Sequence, residues 1–512
     1  MTLSVQVDWA KDGTWTTTGD DVTTRVKPVT AAITASYGRD QSTALTPITS
    51  GRGSLTLDNT DRALSPRNTS SLLYGKLKPA RPVRIRRTVG ATTYTLLVAH
   101  TDASPINPDV EAKSVGLTLV DSIADFRQTI STPLYSSIRT GTAIGYVLDA
   151  VGWTGGRDLD QGGSVLPWWW EEGTDGLQAL QNLLAAEGPP ALLTVGSSGE
   201  IVFRDRHHRL VRSASTTSQG TWRGSGVVEP CFGRPFTYDE AWQSVINSAS
   251  ISVPIRRQGL QSVVWSSTDV IDLTAGQVTQ VKAAGTDPFF NAIAPVMTTD
   301  ISVSAGSATV TATLDRTSGG AVTISLTAPG ASRILSLQLR ANPVPVSRTV
   351  VVNVQDASSV ADYGGRSHPD IPFASVLDVT AIVNATLAMR AQPLPVISVT
   401  FQVGGSTPTQ LARAAAVLAR NLSDRVTVVE PETQLSTDFY VESIAHSLTG
   451  DENHVVTIGL EAAPTQPTLV FILGSATRGV LGTNRLGKQG LDDPSTVFVL
   501  GSSLLGAGLL GH

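Results

Sequence analysis

Cysteine is almost missing from this chain: among 512 residues the one thiol is Cys231. A single cysteine excludes an intrachain disulfide and every zinc site built on paired cysteines. Charge is also sparse, at 16% of residues and −5 net. No block of Lys or Arg occurs, so the clustered cations that grip nucleic-acid phosphates are absent. Arg81, Arg84, Arg86 and Arg87 do gather, but they alternate with Pro82, Val83 and Ile85 and read as the polar face of a strand. No run of about 18 apolar residues offers a membrane-spanning helix. Met1-Thr2-Leu3-Ser4-Val5 carries neither a basic region nor an apolar run, so a chain made in a reducing cytoplasm, without a secretory leader, is expected.

What is present is length and β propensity. A chain of 512 residues is too long for one ordinary core and predicts three or four domains of roughly 100–150 residues. Thr, Ser, Val and Gly recur in short bursts, which fits strands joined by turns. Ser54-Leu55-Thr56-Leu57 alternates and then meets Asp58-Asn59-Thr60-Asp61, whose side chains bond their own backbone in a turn. Val83–Arg86 and Thr95–Val98 read as an adjacent pair, and the first 104 residues as a small β-barrel or sandwich. The fold class expected is mainly β with a smaller α+β part.

That α+β part is predicted over 105–235. Ile144, Val147, Leu148 and Val151 share one helical face that ends at Gly152. A second helix starts after a Thr174 cap, carries Leu177, Leu180, Leu183 and Leu184, and stops at Gly188-Pro189-Pro190. A hairpin follows over 191–206, turning at Gly196-Ser197-Ser198-Gly199. Residues 266–345 are almost purely Thr, Ser, Val and Ala and read as an inserted β-sandwich module. Helical spacing returns near Val376–Val383 and Leu411–Leu422, and strands are expected at 425–428, 439–446 and 455–460. Beyond 466 the chain becomes a Leu/Gly repeat, with Phe471-Ile472-Leu473-Gly474-Ser475 echoed by Phe498-Val499-Leu500-Gly501-Ser502. Such an apolar stretch cannot build its own core and needs a partner surface.

Gly482–Gln489 nearly spells a phosphate loop, but Gln489 stands where Ser or Thr must hold magnesium, and Gly490 and Pro494 stop any following helix. No G-x-S-x-G elbow and no H-E-x-x-H occurs. Cys231 has no His near it in sequence, although a spatial pair would escape such a reading. His207 and His208 follow a strand ending at Arg206, where neighbours point to opposite faces, and read as surface residues. Asp158 and Asp160 between glycine pairs fall short of the oxygens calcium takes and read as a turn. Trp168, Trp169 and Trp170 precede Glu171 and Glu172. Two readings stand: a hydrophobic wedge packed under the next helix, or a sugar-stacking contact. No catalytic, metal or cofactor residue is assigned.

The decisive residues are not catalytic. Gly53-Ser54-Leu55-Thr56-Leu57-Asp58-Asn59-Thr60-Asp61-Arg62-Ala63-Leu64-Ser65-Pro66, continuing through Tyr74, Leu77-Lys78-Pro79 and Arg81–Ile85, resembles an N-terminal segment of minor tail proteins from phages of actinobacteria. Leu166–Trp170, the helix to Glu187-Gly188 and the hairpin Ile201–Arg206 are similar to that family too. So are Asn247 before a long strand, Ser359-Val360-Ala361-Asp362-Tyr363-Gly364, Asp424–Val428, Phe439–Glu442 and Leu473-Gly474 to Gly487. Together they cover most of the chain.

The resemblance implies the tail-tip, or baseplate, hub of a long-tailed (siphovirus-type) virion. A second β-barrel hub domain with helices is then expected from 236–265 plus 346–465. Hubs of this kind form trimers, meet a ring of distal tail protein, contact the tape-measure protein, close the channel before genome ejection, and carry fibre or receptor-binding proteins. Neither a cofactor nor nucleic-acid specificity is implied. The 466–512 segment is expected to clamp the homotrimer or plug the channel through Phe471, Leu473, Val480, Leu481, Leu486, Phe498, Leu500, Leu504 and Leu505. Insertion into the host membrane is a variant, disfavoured because Val497–Leu510 is shorter than the ~20 residues a span needs. The alternatives are a receptor-binding protein touching host cell-wall carbohydrate through Trp168–Trp170, and a tail-associated lysin.

Overall fold

The computed structural model describes residues 1–39, 45, 50–224, 230–316, 318–449 and 453–463. Phe471, Leu473, Val480, Leu481, Leu486, Phe498, Leu500, Leu504 and Leu505 therefore lie outside the described residues. The chain is mainly β, 43% strand against 17% helix, and divides among several sheets.

The N-terminal unit follows from period-two patterning. Strands Thr2–Val7, Pro82–Val89, Thr92–Thr101, Ser114–Val120, Arg52–Asp58 and Ile33–Gly38 neighbour one another in that order. Successive side chains alternate faces, so Val5, Val7, Leu55, Leu57, Val83, Ile85 and Leu117 converge on one apolar core. Each such buried side chain contributes about 1.5–3 kcal/mol. The expected pairing of Val83–Arg86 with Thr95–Val98 is present, with a register shift between Ile85 and Arg86. The reading of the four arginines as one polar face needs correction. Arg84 and Arg86 face outward, but Arg87 shares its parity with Val83, Ile85 and Val89 and is fully buried. Arg81 is buried as well, its Nε donating to the Lys76 carbonyl at 3.0 Å.

This sheet does not stop at the unit's edge. Ile33–Gly38 pairs with the second half of the 15-residue strand Leu435–Thr449, from Ile33 opposite Leu448 to Gly38 opposite Ser443. The first half of that long strand pairs with Arg425–Glu430. Asn453–Ala462, Val396–Gln402 and Gly233–Asp239 continue the same 13-stranded sheet. A strand more than 400 residues away in sequence thus completes the first unit and founds the second. Gly38 makes the crossing possible: its φ is +106°, and a Cβ there would meet the Glu442 carbonyl at 2.3 Å. No L-side chain fits that approach.

The α+β part carries helices Thr140–Ala150 and Gly176–Glu187, with Ile144, Val147, Leu148, Leu180 and Leu183 buried between them and the neighbouring sheets. The second helix is capped by Asp175, which accepts from Gln178 N at 3.1 Å, one residue after the expected Thr174. The hairpin Leu192–Val195 with Ile201–Arg204 is joined by a parallel strand, Arg157–Leu159. Asp158 and Asp160 are therefore not in a turn; both carboxylates face Arg204 across that strand pair.

The Thr/Ser-rich region forms two sheets around a shared core. Ser332–Pro343 is the spine of a five-stranded sheet with Ser262–Ser267, Ile271–Leu273, Phe289–Ile293 and Ile301–Val303. Thr279–Ala284, Ala321–Thr327 and Thr311–Arg316 form a three-stranded partner. Phe289, Ile324, Leu326, Leu337 and Leu339 fill the space between them. The module rides on a two-stranded ribbon, Ser248–Arg256 with Val346–Gln355. Ala249, Ile251, Val253 and Val352 of the ribbon pack on Val379, Ile382 and Val383 of helix Val376–Arg390.

Candidate interaction surfaces

Among the described residues no three of His, Cys, Asp or Glu come close enough to hold a metal ion. Cys231 is half-buried at the start of strand Gly233–Asp239. The reading of His207 and His208 as surface residues is overturned for His208, while His207 is half-buried. The strand ends at Arg204, and the Asp205 carboxylate accepts from His207 N at 2.9 Å. The chain then turns into the short helix His208–Val211, burying His208. Its imidazole Nδ1 lies 2.6 Å from the Asp205 carbonyl. Burial pushes the His208 imidazole down to about 3, so it stays neutral.

The strongest electrostatic feature is structural and joins the chain's parts. Arg39, just after Gly38, sets its Nε 2.8 Å from Glu442 and its Nη1 3.1 Å from the Ala191 carbonyl. Arg209 reaches the other Glu442 oxygen at 2.5 Å, bonds Ser423 and stacks over Tyr440. Burial pushes the Glu442 carboxyl up, but the guanidinium groups of Arg209 and Arg39 outweigh it and hold the group well below the usual range. Nearby, Arg390 pairs with Glu461 at 2.6 Å and Arg206 with Asp378 at 3.5 Å. Glu187 accepts from Gly163 N, Ser164 N and Arg206 N, tying helix end to loop. The arginines Arg39, Arg206, Arg209 and Arg390 surround a cavity of about 70 Å³. Sequence reading missed this network. Its one signal is an acid, Glu442, inside the run Phe439-Tyr440-Val441-Glu442, which is buried on both faces.

The tryptophan run resolves by strand parity. Residues 165–169 are not a wedge before the helix but a strand paired with Tyr135–Arg139. Trp169 points inward and is fully buried beside Tyr135. Trp168 points the other way and stacks on Phe290 of the inserted module, ring centres 6.0 Å apart. Trp170 lies under the Arg256 guanidinium at 5.1 Å and against Gly319. One ring is thus core, and the other two touch the module from the α+β part.

Two segments of the quoted motifs meet at Asn247. Its side-chain amide donates to the Gly364 carbonyl at 2.9 Å and to Ser359 Oγ at 3.1 Å, while its oxygen accepts from Arg366 N at 2.8 Å. Asn59 performs the same service in the N-terminal turn, accepting from Leu64 N at 2.8 Å and donating to Ser65. These buried amides fix loops whose backbone groups need partners.

The two ends of the large sheet differ. Strand Thr2–Val7 is flanked by the returning chain, Val7 N to Asp20 O at 2.8 Å and Val22 N to Val5 O at 3.0 Å. At the other end, the chain entering Gly233–Asp239 bonds Arg223, from Phe232 N to Arg223 O at 3.0 Å, whereas Phe236–Asp239 pairs only with Val396–Gln402 among the described residues. Most of its side chains are exposed, and Tyr238 and Trp242 stand 38% and 64% open. An unpaired strand edge bearing aromatics is a ready docking line.

No family model and no curated protein matches the chain. Among solved structures, it is similar to a tail protein from Neisseria meningitidis MC58, at 7% identity and a TM-score of 0.47 over 90% of this chain and 95% of that one. It is similar to the 43 kDa tail protein of prophage MuSo2 from Shewanella oneidensis, at 11% identity and 0.43 over 90% and 97%. Prophage tail protein gp18 from Listeria monocytogenes EGD-e aligns at 9% identity and 0.41 over 91% and 96%.

Proposed function

We propose that the chain is a structural hub of a bacteriophage tail tip or baseplate, and that it works by its interfaces rather than by catalysis. The observation that carries this reading is the continuous 13-stranded sheet. Through Leu435–Thr449 it makes the two β units one body, and the Arg39–Glu442–Arg209 network fixes that seam. A subunit that sits in a closed ring must hold its binding surfaces in constant relation, and such a seam does this. The residues that resemble minor tail proteins support the reading, because Asn59 and Asn247 are the residues that set its loops.

In this proposal the chain assembles as a homotrimer beneath the distal tail ring. It contacts the tape-measure protein, carries fibre or receptor-binding proteins, and closes the channel until ejection. The 466–512 segment clamps the three copies or plugs their axis. The domain division proposed is 1–104, 105–235, 236–265 with 346–465, 266–345 and 466–512. The test is the mass of the purified chain in solution, with and without residues 470–512, alongside imaging of tail tips carrying a label on this chain. A threefold mass that falls on truncation and a label at the tip are expected. A monomer at all concentrations, with label elsewhere on the particle, would overturn the reading.

A further inference from the structure

We propose that the outer edge of Phe236–Asp239, unpaired among the described residues, is the docking site for this chain's own segment 468–473, added in cis as an antiparallel strand. The inference does not rest on the hub reading; it rests on where the described chain ends. Asn453–Ala462 lies beside Val396–Gln402, which lies beside Gly233–Asp239. The pairings Val396 with Glu461 and Val396 with Asp239 put the ends of the outer two strands at one end of the sheet. Ala463 is fixed there, its N–H bonded to the Asp438 carbonyl at 2.8 Å.

From that point the open edge is three strand spacings away, roughly 14 Å at ~4.8 Å each. The spacer 464–467, Pro-Thr-Gln-Pro, allows five extended steps to residue 468, roughly 17 Å at ~3.3 Å each. A strand that starts at this end runs against the direction of Gly233–Asp239, so the ladder is antiparallel.

The chemistry of the two sides matches. Thr468-Leu469-Val470-Phe471-Ile472-Leu473 is a β-branched and aromatic run bounded by Pro467 and Gly474, the composition of a strand. It needs apolar cover that its Leu/Gly surroundings do not give. On the edge, Phe236 and Tyr238 share one face, and Phe236 already stacks on Phe232 at 5.4 Å. Trp242 stands exposed beyond Asp239, at the end the spacer must cross. Pro235 has no N–H to offer, so the ladder is confined to Phe236–Asp239. Docking takes Phe471 and Leu473 out of the proposed clamp and leaves the residues after Gly474 to reach other copies.

The test uses the full-length chain. In a Cys231→Ser background, Tyr238→Cys is combined in turn with Leu469→Cys, Val470→Cys or Phe471→Cys, then oxidised. Paired strands hold Cα atoms within disulfide reach. An intrachain crosslink at one of these positions is expected. Crosslinks only between chains would overturn the proposal in favour of a second copy, and none at any position would overturn it outright. Amide exchange in the unsubstituted chain gives an independent measure: those amides of Phe236–Asp239 that point away from Val396–Gln402 should exchange slowly, and Val470→Pro should speed this about tenfold or more. Exchange at open-chain rates before any substitution would equally overturn the proposal.

Discussion

The N-terminal barrel and the seam beside it solve one problem, holding strands together, by opposite means. Inside the barrel, Val5, Leu55, Leu57, Val83, Ile85 and Leu117 meet as apolar side chains, with Arg87 buried farther along the face of Val83 and Ile85. At the seam, Arg209 and Glu442 are buried and Arg39 nearly so, yet they meet as ions. Apolar packing is strong but indifferent to direction. Ion pairs add little net stability once desolvation is counted, but they hold fixed geometry and penalise misplacement. The barrel core comes almost wholly from residues 3–119, with Leu448 added by the long strand. The seam joins segments from residues 39, 209 and 442, and these must arrive in one arrangement.

The largest expected effect breaks the seam. Glu442→Ala leaves Arg39 and Arg209 buried without their carboxylate and should cost about 3–5 kcal/mol, read as a lower denaturant midpoint. Replacing all three, Arg39→Met, Arg209→Met and Glu442→Leu, should restore or exceed the original midpoint. If the triple variant is as weak as Glu442→Ala, the ions supply stability itself and the contrast with the barrel fails. Leu57→Ala makes the barrel-side counterpart. It should cost about 3 kcal/mol from lost burial and a residual cavity, and no charge substitution elsewhere should rescue it.

Acid sharpens the comparison, because the seam also buries histidines. His446 Nδ1 and His454 Nε2 lie 3.1 Å apart, on the strands that join the two units. Burial pushes His446 down to about 4 and drives His454 well below its ordinary value, with His446 and Arg87 adding to the latter. Folding-state values below the unfolded 6.5 mean the unfolded chain takes up the protons first. Stability is therefore complete above pH 6.5 and falls as pH drops toward the folded values, by about 1.4 kcal/mol per unit for each histidine. Asp121, pushed up to about 6 by burial, acts in the opposite sense, gaining stability as pH falls from 6 toward 3.8. Burial raises Asp20, Glu171, Asp205 and Asp424 in the same sense as Asp121 and lowers His208 and His368 in the sense of the seam pair, so the seam's own share of any decline from pH 6.5 to 5 is read by substitution. His446→Leu with His454→Leu should flatten that decline; an unchanged slope would place the pH response elsewhere.

Legibility in the sequence followed the range of the contact that decides each feature. Strand runs such as Val83–Arg86 and the helix faces of Ile144 and Leu180 were readable because periodicity is local. Asp205 was not read as a helix signal, so His208 was placed on a surface it never reaches. Arg87 was grouped with its neighbours by charge, where parity put it inside. The seam left almost no local trace. Pairing of Ile33–Gly38 with Ser443–Leu448 spans the whole chain, and Glu442 shows only as an acid in an apolar run. Asn247 and residues 359–364 were singled out separately, by resemblance; that they form one clamp is a fact of the fold.

The smallest expected effect concerns the other junction, where Trp168 and Trp170 hold the inserted module. This contact is half-exposed and aromatic, so it should behave like neither the barrel nor the seam. Trp168→Ala removes the stack on Phe290 and should cost only about 1 kcal/mol of global stability. Its signature should be local: the ribbon Ser248–Arg256 remains packed through Ile251 and Val253, while the module loses one of its lateral contacts. Limited proteolysis should then cut faster near 256–262 and 343–346 in the variant than in the parent, with the rest of the β core left intact. Equal cleavage rates would mean that the ribbon alone positions the module. Trp168 and Trp170 would then be filling space, and only the buried seam would fix one part of this chain against another.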